Sequence, residues 1–170
     1  SNHRSYIDIA LIAQYMPCTF LSKEEVASWP VIGFAAKVVK VLFVKREDPE
    51  SRKKARKQIH SAVDQGISVI IFPEGTANTG ENLMPFKQGV FKVAADGEFN
   101  VVPIAVIIEN LQQAWGDESF FSHFMRTFKE KEIRCAISFG SSIQDNDPDH
   151  LRETCWQWIN REIKRDITWN

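Results

Sequence analysis

The chain has 170 residues, 44% of them apolar and 25% charged, which leaves room for the hydrophobic core of one globular domain. A formal net charge of −1 supplies no overall pull towards nucleic acid, and no run reaches the ~20 apolar residues that span a bilayer. Cys18, Cys135 and Cys155 match neither a disulfide framework nor a zinc spacing. They read as buried small apolar residues of a protein from a reducing compartment.

In chain order, Ser5–Tyr15 is expected to be a helix, capped by Ser5, with Asp8 near the positive end of its dipole and Pro17 as its stop. Cys18–Leu21 is a short strand. Ser22 with Glu25 forms a capping-box pattern and predicts a helix over Lys23–Trp29. Pro30 breaks that helix and opens another to about Val39. On it Trp29, Val31, Ile32, Phe34, Val38 and Val39, flanked by Lys37 and Lys40, form either an interfacial face or core. Val41–Val44 is a buried strand.

Asp48-Pro49 is an N-cap followed by an N1 proline. Ala55, Ile59, Ala62 and Val63 then recur at helical spacing up to the stop at Gly66. The basic run Arg52–Lys57 reads as the wet face of that helix. Ile67–Phe72 is a strand and Thr76–Met84 a polar loop holding Asn78 and Gly80. Gln88–Ala95 is a helix. Val101–Ile108 is a buried strand, with Pro103 marking a strand end or edge. Phe120–Lys129 is a helix, Ile133–Phe139 a strand, and Asp147-Pro148 caps a last helix with Leu151, Cys155, Trp158, Ile159 and Ile163 on one face. Alternating helices and continuously apolar strands predict a single-domain α/β fold: a mainly parallel sheet covered by helices on both faces.

Few residues are placed for chemistry. His3 and Asp8 are five positions apart and diverge if both lie in one helix. If His3 precedes the helix, Asp8 can fold back beneath it, hold one imidazole nitrogen and leave the other as a base. Such a pair suits a reaction whose nucleophile is a substrate hydroxyl. Taken alone, a His and an Asp at this spacing mean nothing special in most proteins.

Phe72-Pro-Glu-Gly-Thr76 follows a strand, where open α/β sheets bind ligands. Gly75 permits a sharp turn or a close approach. Glu74 would repel a phosphate, so it reads as a polar orienting group that holds a glycerol hydroxyl or pairs with a basic residue nearby; the bland alternative is a turn. Arg46 follows the strand Val41–Val44 and is a phosphate ligand or a solvated charge. His60 and His150 are expected on helix surfaces, and neither they nor His123 has a partner at a telling spacing, although His123 follows "WGDESFFS". "SFGSSI" is not a nucleophile elbow, and there is no glycine-rich phosphate loop and no zinc pattern.

Together, "NHRSYID", "VLFVKR", "FPEGT" and "VVPIAV", in this order and at these spacings, resemble the glycerolipid acyltransferases: 1-acylglycerol-3-phosphate and related lysophospholipid acyltransferases. The resemblance runs from Ser1 to about Ile143. "TANTG" with "LMPFK", and "AWGDESFFSH", look most like the bacterial branch that includes lyso-ornithine-lipid acyltransferases. The resemblance implies that residues 1–170 are an acyltransferase domain, and that a membrane-associated helical segment precedes it. It implies His3 as general base, Asp8 as its orienting partner, and Arg46, Glu74, Gly75 and Thr76 as acceptor-binding residues.

Two positions depart from the family pattern. Ala77 stands where many phosphatidate-forming members have an arginine, and Lys40 where a glycine is common. Lys87 is the candidate that compensates for the missing arginine. The implied activity is transfer of a fatty acyl group from acyl-CoA or acyl-carrier protein to the free hydroxyl of a lysophospholipid. No metal or other cofactor and no nucleic acid is expected, and the implied place is a membrane surface, on the cytoplasmic face of a bacterial inner membrane. A lyso-ornithine lipid is the alternative acceptor. A non-catalytic lipid- or acyl-carrier-binding module is the alternative of another class.

Overall fold

The computed structural model describes residues 1–29, 33, 36 and 40–169. The described elements are, in order, α1 (Ile7–Ala13), β1 (Cys18–Lys23), a 3₁₀ turn (Glu24–Ser28), β2 (Leu42–Val44), α2 (Pro49–Asp64) and β3 (Ser68–Ile70). They continue with α3 (Gly89–Asp96), β4 (Ile104–Ile108), a second 3₁₀ turn (Leu111–Gln113), α4 (Phe120–Lys129), β5 (Cys135–Phe139) and α5 (Pro148–Glu162). The chain divides into two compact units. One runs from Ala13 to Ile71; the other joins Ser1–Ile12 to everything from Phe72 onward.

The Ala13–Ile71 unit is built on a parallel three-stranded sheet of order β2-β1-β3. Leu21 lies opposite Leu42, and Phe20 opposite Ile70. The Asp48 side chain accepts from Glu50 N–H at 2.9 Å and Pro49 takes the first helical position, so α2 starts where its cap signature says. Its apolar stripe, Ala55, Ile59 and Ala62, is buried, and α2 packs on β2 and β3. The basic residues between Arg52 and Lys57 are exposed. Gly66 ends the segment with φ +74°, a conformation that costs glycine nothing.

One expectation in this unit fails. Ser22 and Glu25 do not form a capping box: Ser22 sits opposite Phe43 in the parallel ladder, and β1 continues to Lys23. A residue in extended pairing cannot also open a helix. The Glu24–Ser28 turn that follows has no side-chain cap. The segment expected to be helical from Pro30 to Val39, with most of its apolar face, lies outside the described residues apart from Gly33 and Ala36.

In the other unit, β4 and β5 pair antiparallel, from Ile104 opposite Phe139 to Ile108 opposite Cys135. The parallel pairing thus belongs to the three-stranded sheet, and β5 returns alongside β4 in the opposite sense. Pro103 sits just before β4, where its missing N–H breaks no ladder bond. α3 and α5 pack together, and Leu83, Phe86, Phe91, Ala105, Leu151, Cys155 and Ile159 form the core. Asp147 accepts from Asp149 and His150 N–H, so α5 has the expected cap.

Cys155 is buried, and Cys18 and Cys135 are partly covered. Burial pushes the Cys135 and Cys155 thiols up to about 11, so both are neutral near pH 7. Among the described residues, no helix is long and apolar enough to cross a membrane.

Candidate active site

His3 precedes α1, and Asp8 lies in the first turn of that helix. The helix therefore does not impose its own angular spacing on the pair. The Asp8 carboxylate folds back over the helix start, and its Oδ2 accepts from His3 Nδ1 at 2.8 Å, Arg4 N–H at 2.6 Å and Ser5 N–H at 3.0 Å. Asp8 is fully buried. An ionised carboxylate only accepts hydrogen bonds, so Nδ1 is the donor, and in the neutral imidazole Nε2 carries the lone pair.

Phe72 stacks on the imidazole with ring centroids 4.1 Å apart and planes 17° from parallel. The His3 side chain retains 18% of its exposure: it is held in one orientation and still reachable from solvent.

Glu74 sits beneath this pair and is 2% exposed. Its Oε1 accepts the main-chain N–H of His3 at 2.8 Å, and its Oε2 accepts from Asn78 Nδ2 at 2.9 Å and Met84 N–H at 3.0 Å. Both carboxylate oxygens are therefore engaged within the chain. The Pro73–Gly75 turn that places Glu74 needs φ +84° at Gly75, whose N–H donates to Phe72 C=O at 3.0 Å.

Three further residues, none of them legible as functional in the sequence, complete the frame. The Asn2 side-chain amide donates to Val106 C=O and accepts from Val106 N–H, both at 2.8 Å, and so fastens the start of the chain to β4. The buried Arg4 guanidinium donates to Asn78 C=O at 2.8 Å and Gly80 C=O at 2.6 Å. Burial lowers its pKa, against the opposing pull of Glu74 and Asp8. Asn78 N–H donates to His3 C=O at 2.9 Å. The one sequence signal was Asn78-x-Gly80: Asn78 Oδ1 accepts Gly80 N–H at 2.9 Å, an Asx turn.

The other residues singled out in the sequence are placed as follows. His3, Asp8, Glu74 and Gly75 come together in one unit. Thr76 and Lys87, in the same unit, are exposed, and Lys87 N–H donates to Pro73 C=O at 2.9 Å beside the turn. Arg46 belongs to the Ala13–Ile71 unit, just beyond β2, and its C=O accepts from Arg52 at 2.6 Å. His123 is fully buried; its Nε2 donates to Gln113 C=O at 3.1 Å, and it packs edge-on against Tyr6. His150 is exposed, as expected, but it has a partner, Asp145, five residues before it at 2.5 Å. Among the described residues, no group of three or more His, Cys, Asp or Glu side chains is placed to hold a metal ion.

A buried carboxylate that holds one nitrogen of a stacked, partly exposed imidazole is an arrangement that can remove a proton from a hydroxyl. The family model described as Acyltransferase matches residues 1–107. The chain is 37% identical over 124 residues to a chloroplastic 1-acyl-sn-glycerol-3-phosphate acyltransferase of Brassica napus, covering 72% of this chain and 36% of the relative. It is 33% identical over 138 residues to a lyso-ornithine lipid O-acyltransferase of Pseudomonas aeruginosa, covering 76% and 52%.

A solved structure, the 1-acyl-sn-glycerophosphate acyltransferase of Thermotoga maritima, aligns with a TM-score of 0.66 at 17% identity, over 98% of this chain and 66% of that one. The α/β fold expected from the sequence is thus shared with it. The chain spans between about a third and two thirds of the length of these proteins. With the family model matched across most of its length, the chain belongs to the acyltransferase family.

Proposed function

We propose that the protein is an O-acyltransferase that moves a fatty acyl group from an acyl thioester, acyl-CoA or acyl-carrier protein, to the free hydroxyl of a lysophospholipid such as 1-acylglycerol-3-phosphate. The observation that carries the reading is the His3 Nδ1–Asp8 Oδ2 bond of 2.8 Å, buried on the aspartate side and stacked on Phe72. Nε2 takes the hydroxyl proton as the oxygen attacks the thioester carbonyl carbon. The tetrahedral oxyanion collapses, the C–S bond breaks, and the thiolate leaves and is protonated by the imidazolium. Asp8 holds the tautomer and stabilises that imidazolium.

In this reading residues 1–170 act as the acyltransferase domain; Gly75, Thr76 and Lys87 are its acceptor-binding residues in one unit, and Arg46, in the other unit, is a separate candidate ligand for the acceptor. Glu74 serves acceptor binding indirectly, because its oxygens already hold His3, Asn78 and Met84. A lyso-ornithine lipid, an acceptor without phosphate, is favoured by one observation: Ala77 follows the Glu74-Gly75-Thr76 block where a phosphate-binding arginine would stand.

The acceptor and product are lipids, so the protein works at a membrane surface, in this reading the cytoplasmic face of a bacterial inner membrane. Support comes from α4, where Phe121 and Phe128 are 71% and 70% exposed and Met125 lies between them on the same outward face.

The test is thiol release from an acyl-CoA in detergent micelles, with lysophosphatidate and lyso-ornithine lipid offered separately to wild type and His3→Ala. Turnover that disappears in the variant supports the reading, and the better acceptor identifies the head group. Undiminished turnover in His3→Ala rejects the base.

A further inference from the structure

We propose that Asn78 is a positioning residue for the His3–Asp8 pair: its side chain holds the Glu74 loop in the one place from which that loop grips the His3 main chain. The proposal rests on the reading of His3 as the base.

His3 lies outside α1, so the helix that fixes Asp8 does not fix His3. Its peptide groups are held instead by the Glu74–Met84 loop, which has no regular secondary structure. His3 N–H donates to Glu74 Oε1 at 2.8 Å, and His3 C=O accepts from Asn78 N–H at 2.9 Å. Asn78 Nδ2 closes the ring by donating to Glu74 Oε2 at 2.9 Å.

The remaining polar atoms of Asn78 shape the loop itself. Nδ2 also donates to Asn82 C=O at 2.8 Å, Oδ1 accepts Gly80 N–H at 2.9 Å, and Asn78 C=O accepts from Arg4 at 2.8 Å. Every hydrogen-bonding group of this buried residue is used within the chain, and its partners include His3, Arg4 and Glu74.

Residue type matters here. Asn78 presents an N–H₂ to a carboxylate that is itself buried, and an oxygen to a main-chain N–H. Alanine supplies neither. Aspartate keeps the size and the acceptor but turns a second carboxylate towards Glu74, and two carboxylates this close cannot both ionise. The charged groups around the pair are Glu74 and the Arg4 guanidinium, with Asp8 and His3 beyond.

The experiment measures kcat, and KM for both substrates, against pH for wild type, Asn78→Ala, Asn78→Asp and His3→Ala, each checked for wild-type circular dichroism. Misplacing a base by about 1 Å costs on the order of 10²-fold. Asn78→Ala is therefore expected to lose about 10- to 100-fold in kcat with KM changed less than about 3-fold. Asn78→Asp, the near-isosteric variant for use where alanine loses the fold, is expected to lose more at the alkaline end of the pH profile than at the acid end. Its ratio to wild type recovers as one proton shared by the two carboxylates restores the donor.

An unchanged kcat in Asn78→Ala, a loss confined to KM, or a ratio for Asn78→Asp that does not vary with pH overturns the proposal while His3→Ala stays inactive. An active His3→Ala overturns the base assignment instead, so the two failures are distinguishable.

Discussion

The main-chain N–H of His3 donates to Glu74 Oε1 at 2.8 Å, across 71 residues of sequence. The two most characteristic blocks of the sequence are therefore one physical object. The glutamate of the second supports the backbone of the histidine in the first, and the short chain segment around His3 needs that support because no helix or strand includes it.

Glu74→Ala removes one carboxylate and takes that partner from three donors: His3 N–H, Asn78 Nδ2, which keeps Asn82 C=O, and the part-buried Met84 N–H. Each buried group left unpaired costs about 1–3 kcal/mol. The variant is expected to lose about 1–3 kcal/mol in urea denaturation as well as nearly all turnover. Unchanged stability would show that the loop is held by something else.

His3→Ala is expected to lower kcat by about 10²–10⁴-fold, the usual worth of a general base. Asp8→Asn keeps the volume but presents an amide to an imidazole N–H, so it disturbs the tautomer and is expected to fall in the same range. The double variant should be little worse than either single one, because the two side chains act as a unit. Multiplicative losses in steady-state kinetics would mean that they act separately.

The exposed pair His150–Asp145 makes a prediction about pH. The Asp145 hydrogen bond and charge raise His150 above its ordinary 6.5, and the Asp147 main chain and His150 hold Asp145 low. His150 thus favours the folded state fully below about pH 6.5, and that contribution disappears as pH rises through the raised folded value. The contribution of Asp145 is present above the ordinary carboxylate range, near 4, and fades as pH falls through its lowered value. An NMR titration should place the His150 midpoint above 6.5, and Asp145→Asn should return it towards 6.5. Coincident midpoints would refute the pairing.

Leu151 is fully buried on α5, in the core with Ala105 and Ile159. Leu151→Ala is expected to cost about 2–5 kcal/mol in a denaturant titration, from lost transfer energy and the cavity left behind. A cost below about 1 kcal/mol would mean that the core collapses into the space.

At the other extreme, Phe121 and Phe128 are exposed on α4. Changing both to serine should leave the melting temperature nearly unchanged and weaken co-sedimentation with phospholipid vesicles severalfold. Equal binding would place the lipid contact elsewhere.

The caps at Asp48-Pro49 and Asp147-Pro148 were legible because capping is local: an aspartate bonds N–H groups two or three residues on, whatever the rest of the chain does. α4 appears over the residues its pattern marks, Phe120–Lys129. Ser22 and Glu25 carried the same kind of local signal and it failed, because parallel pairing with β2 claimed the Ser22 backbone first. The antiparallel sense of β5 was not legible either, since strand direction depends on which partner the chain reaches and not on the strand's own side chains.

What the sequence determined by itself was most of the described helices and strands, and the presence of a histidine and an aspartate at a spacing that permits a pair. What only the tertiary structure decided was that they do pair: that His3 stays outside α1, that Phe72 stacks on its ring, and that Glu74, Asn78 and Arg4 turn inward to hold the segment. The physical reason is range. A cap or an apolar stripe is satisfied within a few residues, whereas the groups that hold His3 and Arg4 in place come from 71 and 74 positions away and meet them only when the chain is packed.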